Sequence, residues 1–369
     1  MTQLKDIYSK DFLLDFSKKV QSKYDKFNID EFISEVMDDT WNDLVLRKRM
    51  YQISEKLGSF LPEQYEDALD ILFTIADDCE GFPYLFFPEF VVIYGMDEIH
   101  WELSMKALEY FTQKSSSEFA IRSFLLRDPT RVMKQMTLWA NHPNEHVRRL
   151  ASEGCRPRLP WGESLPIFKK DPLPVLSVLE LLKEDSSLYV RKSVANNLND
   201  IAKDNPDMVL ETAHRWIGNH KHTDWIIRHG CRTLIRKASP AAMALFGYER
   251  DTLNIRIASI SIQPDTLAIG ETSQIQYHVS LLQDKPVHIR IEYGIDFVKA
   301  NGKTSRKSFL LSDKTVSGNA DVDGTRTHDW SDLTTRRHYP GNHRIVLLVN
   351  GIEAAETMLH LFSPIISAP

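Results

Sequence analysis

The spacing of apolar residues changes once along this chain, near residue 250, and this change restricts the fold more than any other feature. Before it, apolar residues recur every three or four positions, as in the segment 185–206, and this is typical of amphipathic helices. After Gly247 they alternate with polar residues, which is typical of half-buried strands. With 369 residues the chain is also too long for one ordinary core. We therefore predict a helical domain over 1–248 and a β domain over 252–369.

The helical part repeats itself. Four segments place an arginine directly after an apolar residue, at Arg122, Arg148, Arg191 and Arg228. The spacings of 26, 43 and 37 residues include two that suit paired-helix repeats of about 40 residues. Stacked helix pairs form a curved solenoid with a concave face. Basic residues that recur at one point of the repeat would line that face, so the pattern predicts a HEAT-like α-solenoid with a positively charged groove.

The β part reads as about seven short strands separated by turn residues, which favours an antiparallel sandwich of immunoglobulin type. The alternating segments are 252–264, 273–283, 286–298 and 343–362. The basic segments 299–308 and 334–344 are interpreted as loops, which either are solvated turns or contact a nucleic acid backbone. Candidate contacts in them are Lys303, Arg306, Arg336 and Arg337.

Charge is distributed unevenly. The net charge of −6 is the result of −12 over residues 1–110, +7 over 111–250 and −1 over 251–369. A basic centre between acidic or neutral flanks is typical of proteins that bind a polyanion such as DNA or RNA. The alternative is that these charges simply solvate helix faces.

Several classes of protein are disfavoured. The three cysteines, Cys79, Cys155 and Cys231, are far apart and match neither a disulfide framework nor a zinc site. The histidines have no metal-ligand spacing, so no metal or cofactor is expected. There is no phosphate-binding glycine loop and no nucleophile elbow. Without an apolar run of membrane-spanning length or a secretory signal, we expect no membrane association and a reducing cytoplasm.

The segment 139–161 is the best candidate for chemistry. A helix from about Glu145 would bury Val147 and Leu150. Arg149, Glu153 and Arg156 would then share a neighbouring stripe, with Trp161 beyond the end of the helix. Arginines beside aromatic residues suggest phosphates and bases. A carboxylate among them is unusual for simple DNA binding, because it repels phosphate.

The segment "HVRRLASEGCRPRLPW" (146–161) resembles the signature of the AlkC family of bacterial DNA alkylation-repair glycosylases, which are related to AlkD and built from HEAT-like repeats. The resemblance implies a monofunctional glycosylase. It would hydrolyse the N-glycosidic bond of cationic alkylated bases, 3-methyladenine and 3-methylcytosine, in double-stranded DNA. The lesion would stay in a distorted helix rather than enter a deep pocket.

The resemblance also implies roles for individual residues. Glu153 would face the sugar of the lesion; otherwise it forms an ordinary salt bridge with Arg149. Glu118 would join it in the active site, although "Ser115-Ser-Ser-Glu118" also fits a helix capping box. Asp200 would add an acid to the cleft, or would cap the helix or pair with a nearby lysine. Trp161 would stack beside the cationic base.

The remaining expectations concern partners. A monomer with no cofactor would act on DNA at the nucleoid of a bacterial cytoplasm. The residues proposed to contact DNA are Arg148, Arg149, Arg156, Arg158, Arg191, Lys192, Arg228, His229, Arg232, Lys303, Arg306, Arg336 and Arg337. Two alternatives remain: a lesion-binding protein without catalysis, and a HEAT scaffold that binds a peptide. The scaffold would show no salt-dependent affinity for DNA.

Overall fold

The computed structural model describes residues 3–334 and 336–363. The ends of the two expected domains, 1–2 and 364–369, and Thr335 in the segment 334–344 lie outside the described residues. The chain divides into two compact units, Met1–Gly230 and Cys231–Pro369. None of the helices in the described ranges has the length and apolarity needed to cross a membrane.

The first unit is helical. Its α-helices are α1 (Lys10–Gln21), α2 (Ile29–Val36), α3 (Leu46–Phe60), α4 (Tyr65–Ile75), α5 (Phe86–Tyr94), α6 (Trp101–Lys114), α7 (Ala120–Arg127), α8 (Pro129–Trp139), α9 (Glu145–Glu153), α10 (Pro166–Lys170), α11 (Leu173–Leu182), α12 (Leu188–Ile201), α13 (Pro206–Trp216) and α14 (Lys221–Gly230). Short 3-10 helices lie at Leu4–Ile7, Trp41–Asp43, Ala76–Asp78, Phe82–Leu85 and Glu98–His100.

The later helices stack in two layers. In one layer α6 packs on α9, α9 on α12 and α12 on α14. In the other, α8 packs on α11, and each layer contacts the other through pairs such as α8 with α9. This is the arrangement of a helical-repeat solenoid, because each element contacts mainly its neighbours along the stack.

Helices α9 and α12, which carry the candidate site, form where the sequence predicts them. The Asn144 side chain accepts a hydrogen bond from the backbone of α9, and the Ser187 side chain does the same for α12. The apolar residues that recur every three or four positions along α12, Val190, Val194, Leu198 and Ile201, are all buried. The C-cap of α9 is Gly154, whose added Cβ would lie 2.6 Å from Ile121. A side chain at this position would therefore force the helix away from α7.

The second unit contains the strands β1 (Ile255–Gln263), β2 (Thr266–Ala268), β3 (Thr272–Leu281), β4 (Val287–Val298), β5 (Thr304–Val316), β6 (Ala320–Asp329), β7 (Gly341–Val349) and β8 (Ile352–Phe362). They form one sheet of order β1-β3-β6 and another of order β2-β8-β7-β4-β5. All pairings are antiparallel except β2 with β8. Inward-facing residues of both sheets share one apolar core. The predicted sandwich is confirmed.

The loop assignment of 299–308 was wrong in its second half. Strand β5 begins at Thr304, and Asp296 of β4 pairs in register with Arg306 of β5. The segment alternates too weakly in hydrophobicity to be recognised as a strand, because much of β5 is exposed. Likewise, β7 begins at Gly341, inside the predicted loop 334–344.

Two short helices, α15 (Arg232–Arg236) and α16 (Pro240–Leu245), fall in the second unit, whereas the sequence expectation placed them in the first domain. The segment that follows them is tied to the sandwich. Asn350 donates to the carbonyl of Glu249 at 2.8 Å, and the hydroxyl of Tyr248 donates to Asp313 at 2.9 Å.

Candidate active site

Glu153 is the last residue of α9, and both of its carboxylate oxygens are held. The residue is 5% exposed. Its Oε1 lies 2.5 Å from Nη1 of Arg156 and 3.7 Å from Nη2 of Arg149. Its Oε2 accepts a hydrogen bond from Oγ of Ser193 at 2.6 Å. Since Ser193 is on α12, the packing of α9 on α12 fixes the orientation of this carboxylate.

Arg149 connects this carboxylate to a second one. Its Nη1 lies 2.7 Å from Oε2 of Glu118, and its guanidinium lies over the ring of Tyr189 at 4.5 Å. Burial opposes the charge of Arg149, but Glu118 and Glu153 raise the pKa of this arginine above its ordinary value. Arg149 therefore stays protonated and holds both acids in one place.

Glu118 precedes α7 rather than lying within it. The helix begins at Ala120, and its N-cap residue Phe119 makes no capping hydrogen bond. The capping box considered for this segment was therefore wrong. Instead, Oγ of Ser116 donates to Oε2 of Glu118 at 3.0 Å. The carboxylate is thus oriented by a neighbouring hydroxyl and by Arg149.

Asp200 is buried one contact further back. It is 2% exposed, and its Oδ2 accepts a hydrogen bond from Nε of Arg156 at 2.9 Å. Its Oδ1 pairs with Nζ of Lys203 at 2.9 Å. Asp200 does not line the cavity at Glu153. Its contacts are those of a group that holds Arg156, which in turn contacts Glu153.

A cavity of about 420 Å³ opens where these side chains meet. The charged part of its wall is formed by Glu118, Glu153, Arg149 and Arg156. The apolar and aromatic part of the wall is formed by Phe82, Leu85, Phe119, Leu159, Pro160, Trp161 and Tyr189. Trp161 is 68% exposed, and its φ of 61° lies in the left-handed region, which is rare for a bulky residue. The surrounding segment must therefore hold this tryptophan with its ring outward.

Arg122 of α7 supports the loop that follows α9. It is 1% exposed, and its Nη1 donates to the carbonyls of Gly154 at 2.9 Å and Arg156 at 2.8 Å. Its Nε donates to the carbonyl of Glu163 at 2.5 Å. Burial lowers the pKa of Arg122 to about 10, so it remains charged at neutral pH. One buried guanidinium thus anchors the backbone on both sides of Trp161.

Two of the recurring arginines brace the repeats. Arg148 donates to the carbonyls of His142 at 2.9 Å and Pro143 at 2.7 Å, six and five residues before it. Arg191 makes the equivalent bonds to Asp185 at 2.9 Å and Ser186 at 2.7 Å. Arg148 also pairs with Asp185 at 2.6 Å. Both guanidinium groups are therefore occupied by the turn that precedes their own helix.

The other predicted DNA contacts in this region differ in exposure. Arg149 and Arg156 belong to the acid-lined cavity. Arg158 pairs with Asp204 at 2.6 Å. Lys192, Arg228 and His229 are exposed, and Arg232 is partly buried.

The β-sandwich gathers basic residues from the two predicted loops. Lys303, Arg336 and Arg337 line one cavity of about 480 Å³ together with Lys299. By contrast, Arg306 is held by Asp296 at 2.7 Å and also pairs with Glu353, and these partners raise its pKa. The structure brings the first three residues together and engages Arg306 elsewhere.

Three residues of the site were missed at the sequence level. Tyr189 and Ser193 contact Arg149 and Glu153 from the next repeat, about 40 positions away. Arg122 was noted only as part of the repeat. Their positions in α12 and α7 carry no local signal, because an exposed tyrosine or a helical serine has many ordinary explanations.

Comparisons with known proteins identify relatives over nearly the whole chain. The protein described as "Uncharacterized protein YhaZ" from Bacillus subtilis (strain 168) is 45% identical over 351 residues, 95% of this chain and 97% of the relative. A solved structure of Pseudomonas fluorescens alkylpurine DNA glycosylase AlkC, bound to DNA containing an abasic site analog, superposes with a TM-score of 0.93. The two sequences are 37% identical, and the superposition covers 98% of this chain and 100% of the AlkC chain.

The chain belongs to the AlkC family. Residues 256–363 of this AlkC-family protein also match the family model described as "Uncharacterised protein YhaZ, C-terminal Ig-like domain". This identifies the β-sandwich as immunoglobulin-like. The predictions of family and of fold, a HEAT-like helical domain followed by an immunoglobulin-like sandwich, are confirmed.

Proposed function

We propose that this AlkC-family protein is a monofunctional DNA glycosylase that releases 3-methyladenine and 3-methylcytosine from double-stranded DNA. The observation that supports this most directly is that Glu118 and Glu153 line one cavity and share Arg149. The solved relative from Pseudomonas fluorescens, at 37% identity, is an alkylpurine DNA glycosylase. We further propose that the protein acts as a monomer on DNA in the bacterial cytoplasm.

The chemistry needs little more than fixed negative charge. An N3-alkylated base is already cationic, so when the C1′–N bond breaks the bonding electron pair returns to the base and leaves it neutral. Positive charge then develops on the deoxyribose. A carboxylate that is already in position stabilises this charge without moving, as acids do in glycoside hydrolysis. Water adds to C1′, and its proton passes to a carboxylate or to solvent.

In this mechanism Glu153 faces the sugar and orients the attacking water, and Glu118 adds a second negative charge. Asp200 acts indirectly by holding Arg156. Trp161, whose exposed ring lies at the cavity, stacks beside the lesion. Lys192 and Arg228 on the helical unit, and Lys303 and Arg337 on the sandwich, contact the phosphate backbone.

A base-release assay tests the proposal. The protein is incubated at low salt with methylated duplex DNA, and the free 3-methyladenine and 3-methylcytosine are measured by chromatography. We expect Glu153→Gln to lower the single-turnover rate by on the order of 10²-fold while the protein still binds a duplex with an abasic analogue. The exposed Glu211 of α13 offers a matched control, and Glu211→Gln should leave the rate unchanged.

The possible outcomes distinguish a glycosylase from a damage-binding protein and test the roles of Glu153 and Asp200. Wild-type protein that releases no base would end the enzymatic proposal, and lesion-selective binding without release would favour a damage-binding protein. A full rate for Glu153→Gln would remove Glu153 from the mechanism. Asp200→Asn should lower the rate less than Glu153→Gln does, because its effect passes through Arg156; an equal loss would indicate that Asp200 itself acts at the sugar.

A further inference from the structure

Ser193 contacts the second oxygen of Glu153 in a buried position. It is 2% exposed and lies on α12, one turn after Tyr189. Its Oγ is 2.6 Å from Oε2 of Glu153 and 2.6 Å from Oγ of Ser152 on α9. The two hydroxyls therefore form a short chain that ends on the carboxylate.

The direction of this chain follows from the charge of Glu153. An ionised carboxylate can only accept hydrogen bonds, so Ser193 must donate its one proton to Oε2. Its own oxygen then accepts the proton of Ser152. A hydroxyl that donates to an ionised oxygen forms a shorter and stronger hydrogen bond than one between neutral groups. The Ser193 proton is thereby committed to the carboxylate.

Ser193 also balances the arginines. Arg156 and Arg149 both approach Oε1, and Arg156 is held in turn by Asp200. If Oε2 had no donor, the carboxylate could rotate toward the two guanidinium groups. The contact at Oε2 opposes this rotation. Helix α12 thus controls both oxygens, one through Asp200 and Arg156 and the other through Ser193.

We propose that Ser193 is a positioning residue for base release, which fixes the rotamer in which Glu153 presents its charge to the sugar. This role rests on the proposed function. It assigns to the serine no contact with the substrate, so loss of the hydroxyl lowers the rate of bond cleavage and leaves DNA affinity as it was.

The test compares Ser193→Ala with Ser104→Ala. Ser104 is a similarly buried helical serine whose hydroxyl donates to the carbonyl of Gly95 at 2.7 Å and also contacts the hydroxyl of Tyr65 at 2.9 Å. Each variant therefore loses two buried hydrogen bonds. We expect Ser193→Ala to lower the single-turnover rate roughly ten-fold or more. Ser104→Ala should change the rate less than about two-fold. Both should bind an abasic-analogue duplex with wild-type affinity, and melting temperatures should fall by similar amounts.

A second measurement separates positioning from general destabilisation. In the Glu153→Gln background, whose slower release is followed over longer times, adding Ser193→Ala should cost less than about two-fold, because the group it positions has gone. The same ten-fold loss in both backgrounds would show a structural role and overturn the proposal. The proposal would also be overturned if Ser193→Ala released base at the same rate as Ser104→Ala. If wild-type protein releases no base, the proposed function and this role both fail.

Discussion

Replacement of Arg122 by methionine should destabilise the helical unit and loosen the loop that bears Arg156 and Trp161. The substitution removes three charge-assisted hydrogen bonds, to the carbonyls of Gly154, Arg156 and Glu163. Each contributes about 1–2 kcal/mol. Part of this is offset, because the variant no longer buries a charge whose Nη2 has no partner within residues 3–334 and 336–363. We expect a net loss of about 2–4 kcal/mol in the free energy of unfolding.

Urea unfolding followed by far-ultraviolet circular dichroism measures this loss, because the helical unit dominates the signal. Arg127→Met is the matched control: Arg127 lies on the same helix, is exposed, and donates to the carbonyl of Met96. It should lose less than about 1 kcal/mol. Base release by Arg122→Met should also fall at temperatures where the variant is folded. A loss no larger than that of Arg127→Met would refute the reasoning that this buried arginine anchors the loop.

Three further predictions address stacking, the DNA backbone and pH. Trp161→Ala should change the free energy of unfolding by less than about 0.5 kcal/mol, since Trp161 is 68% exposed, yet it should weaken binding to an abasic-analogue duplex. Binding is measured by the fluorescence anisotropy of a labelled duplex, and an unchanged affinity would argue against stacking. Joint replacement of Lys303 and Arg337 by alanine should reduce the slope of log affinity against log salt by about 1–2. Arg306→Ala should leave this slope unchanged, because the Arg306 guanidinium is already paired with Asp296 and Glu353. An equal reduction of the slope in both variants would contradict the assignment of Lys303 and Arg337 as phosphate contacts. Burial, and next the charge of Arg336, lower the pKa of His328 to about 4, so it is neutral in the folded sandwich. The stability it contributes is present above the unfolded pKa near 6.5 and is lost as pH falls toward 4, by on the order of 3 kcal/mol; thermal unfolding at several pH values should show this loss, and His328→Phe should reduce it.

The local part of the candidate site was predictable because helix geometry is periodic. Arg149 and Glu153 are four positions apart on α9, and this spacing brings their side chains together. Arg156 lies beyond the end of the helix and reaches Glu153 from the loop that Arg122 anchors. The burial of Val147 and Leu150 followed from the same periodicity. The family resemblance added Glu118, which no local pattern connects to Glu153.

The contacts between repeats could not be read from the sequence. Ser193 reaches Glu153 across 40 positions, and Asp200 reaches Arg156 across 44. Such pairs depend on which faces of α9 and α12 meet. An arginine that follows an apolar residue is equally compatible with a solvent-facing groove and with an internal brace, and Arg148 and Arg191 are braces. Total charge therefore overestimates the cations available to DNA in this region.

In the sandwich, alternation indicated β1, β3, β4, β7 and β8 and missed β2, β5 and β6. Strand β4 is buried along most of its length, whereas β5 and β6 expose many of their residues. A strand whose outer face is polar and whose inner face is only partly covered has a weak period-2 signal. Such a strand forms because it pairs with a neighbouring strand, as β5 does with β4 and β6 with β3. The sequence does not indicate these pairings.

The pairing of acids with bases at the cavity has an electrostatic consequence. Glu118, Glu153 and Asp200 contact Arg149, Arg156 and Lys203, so three negative and three positive formal charges cancel. A phosphate that approaches this balanced group meets no net repulsion, so these carboxylates are compatible with the proposed binding of DNA at the cavity. Neutralising one of the acids leaves a surplus cation behind, so the variant that cleaves most slowly should also hold the nucleic acid most tightly.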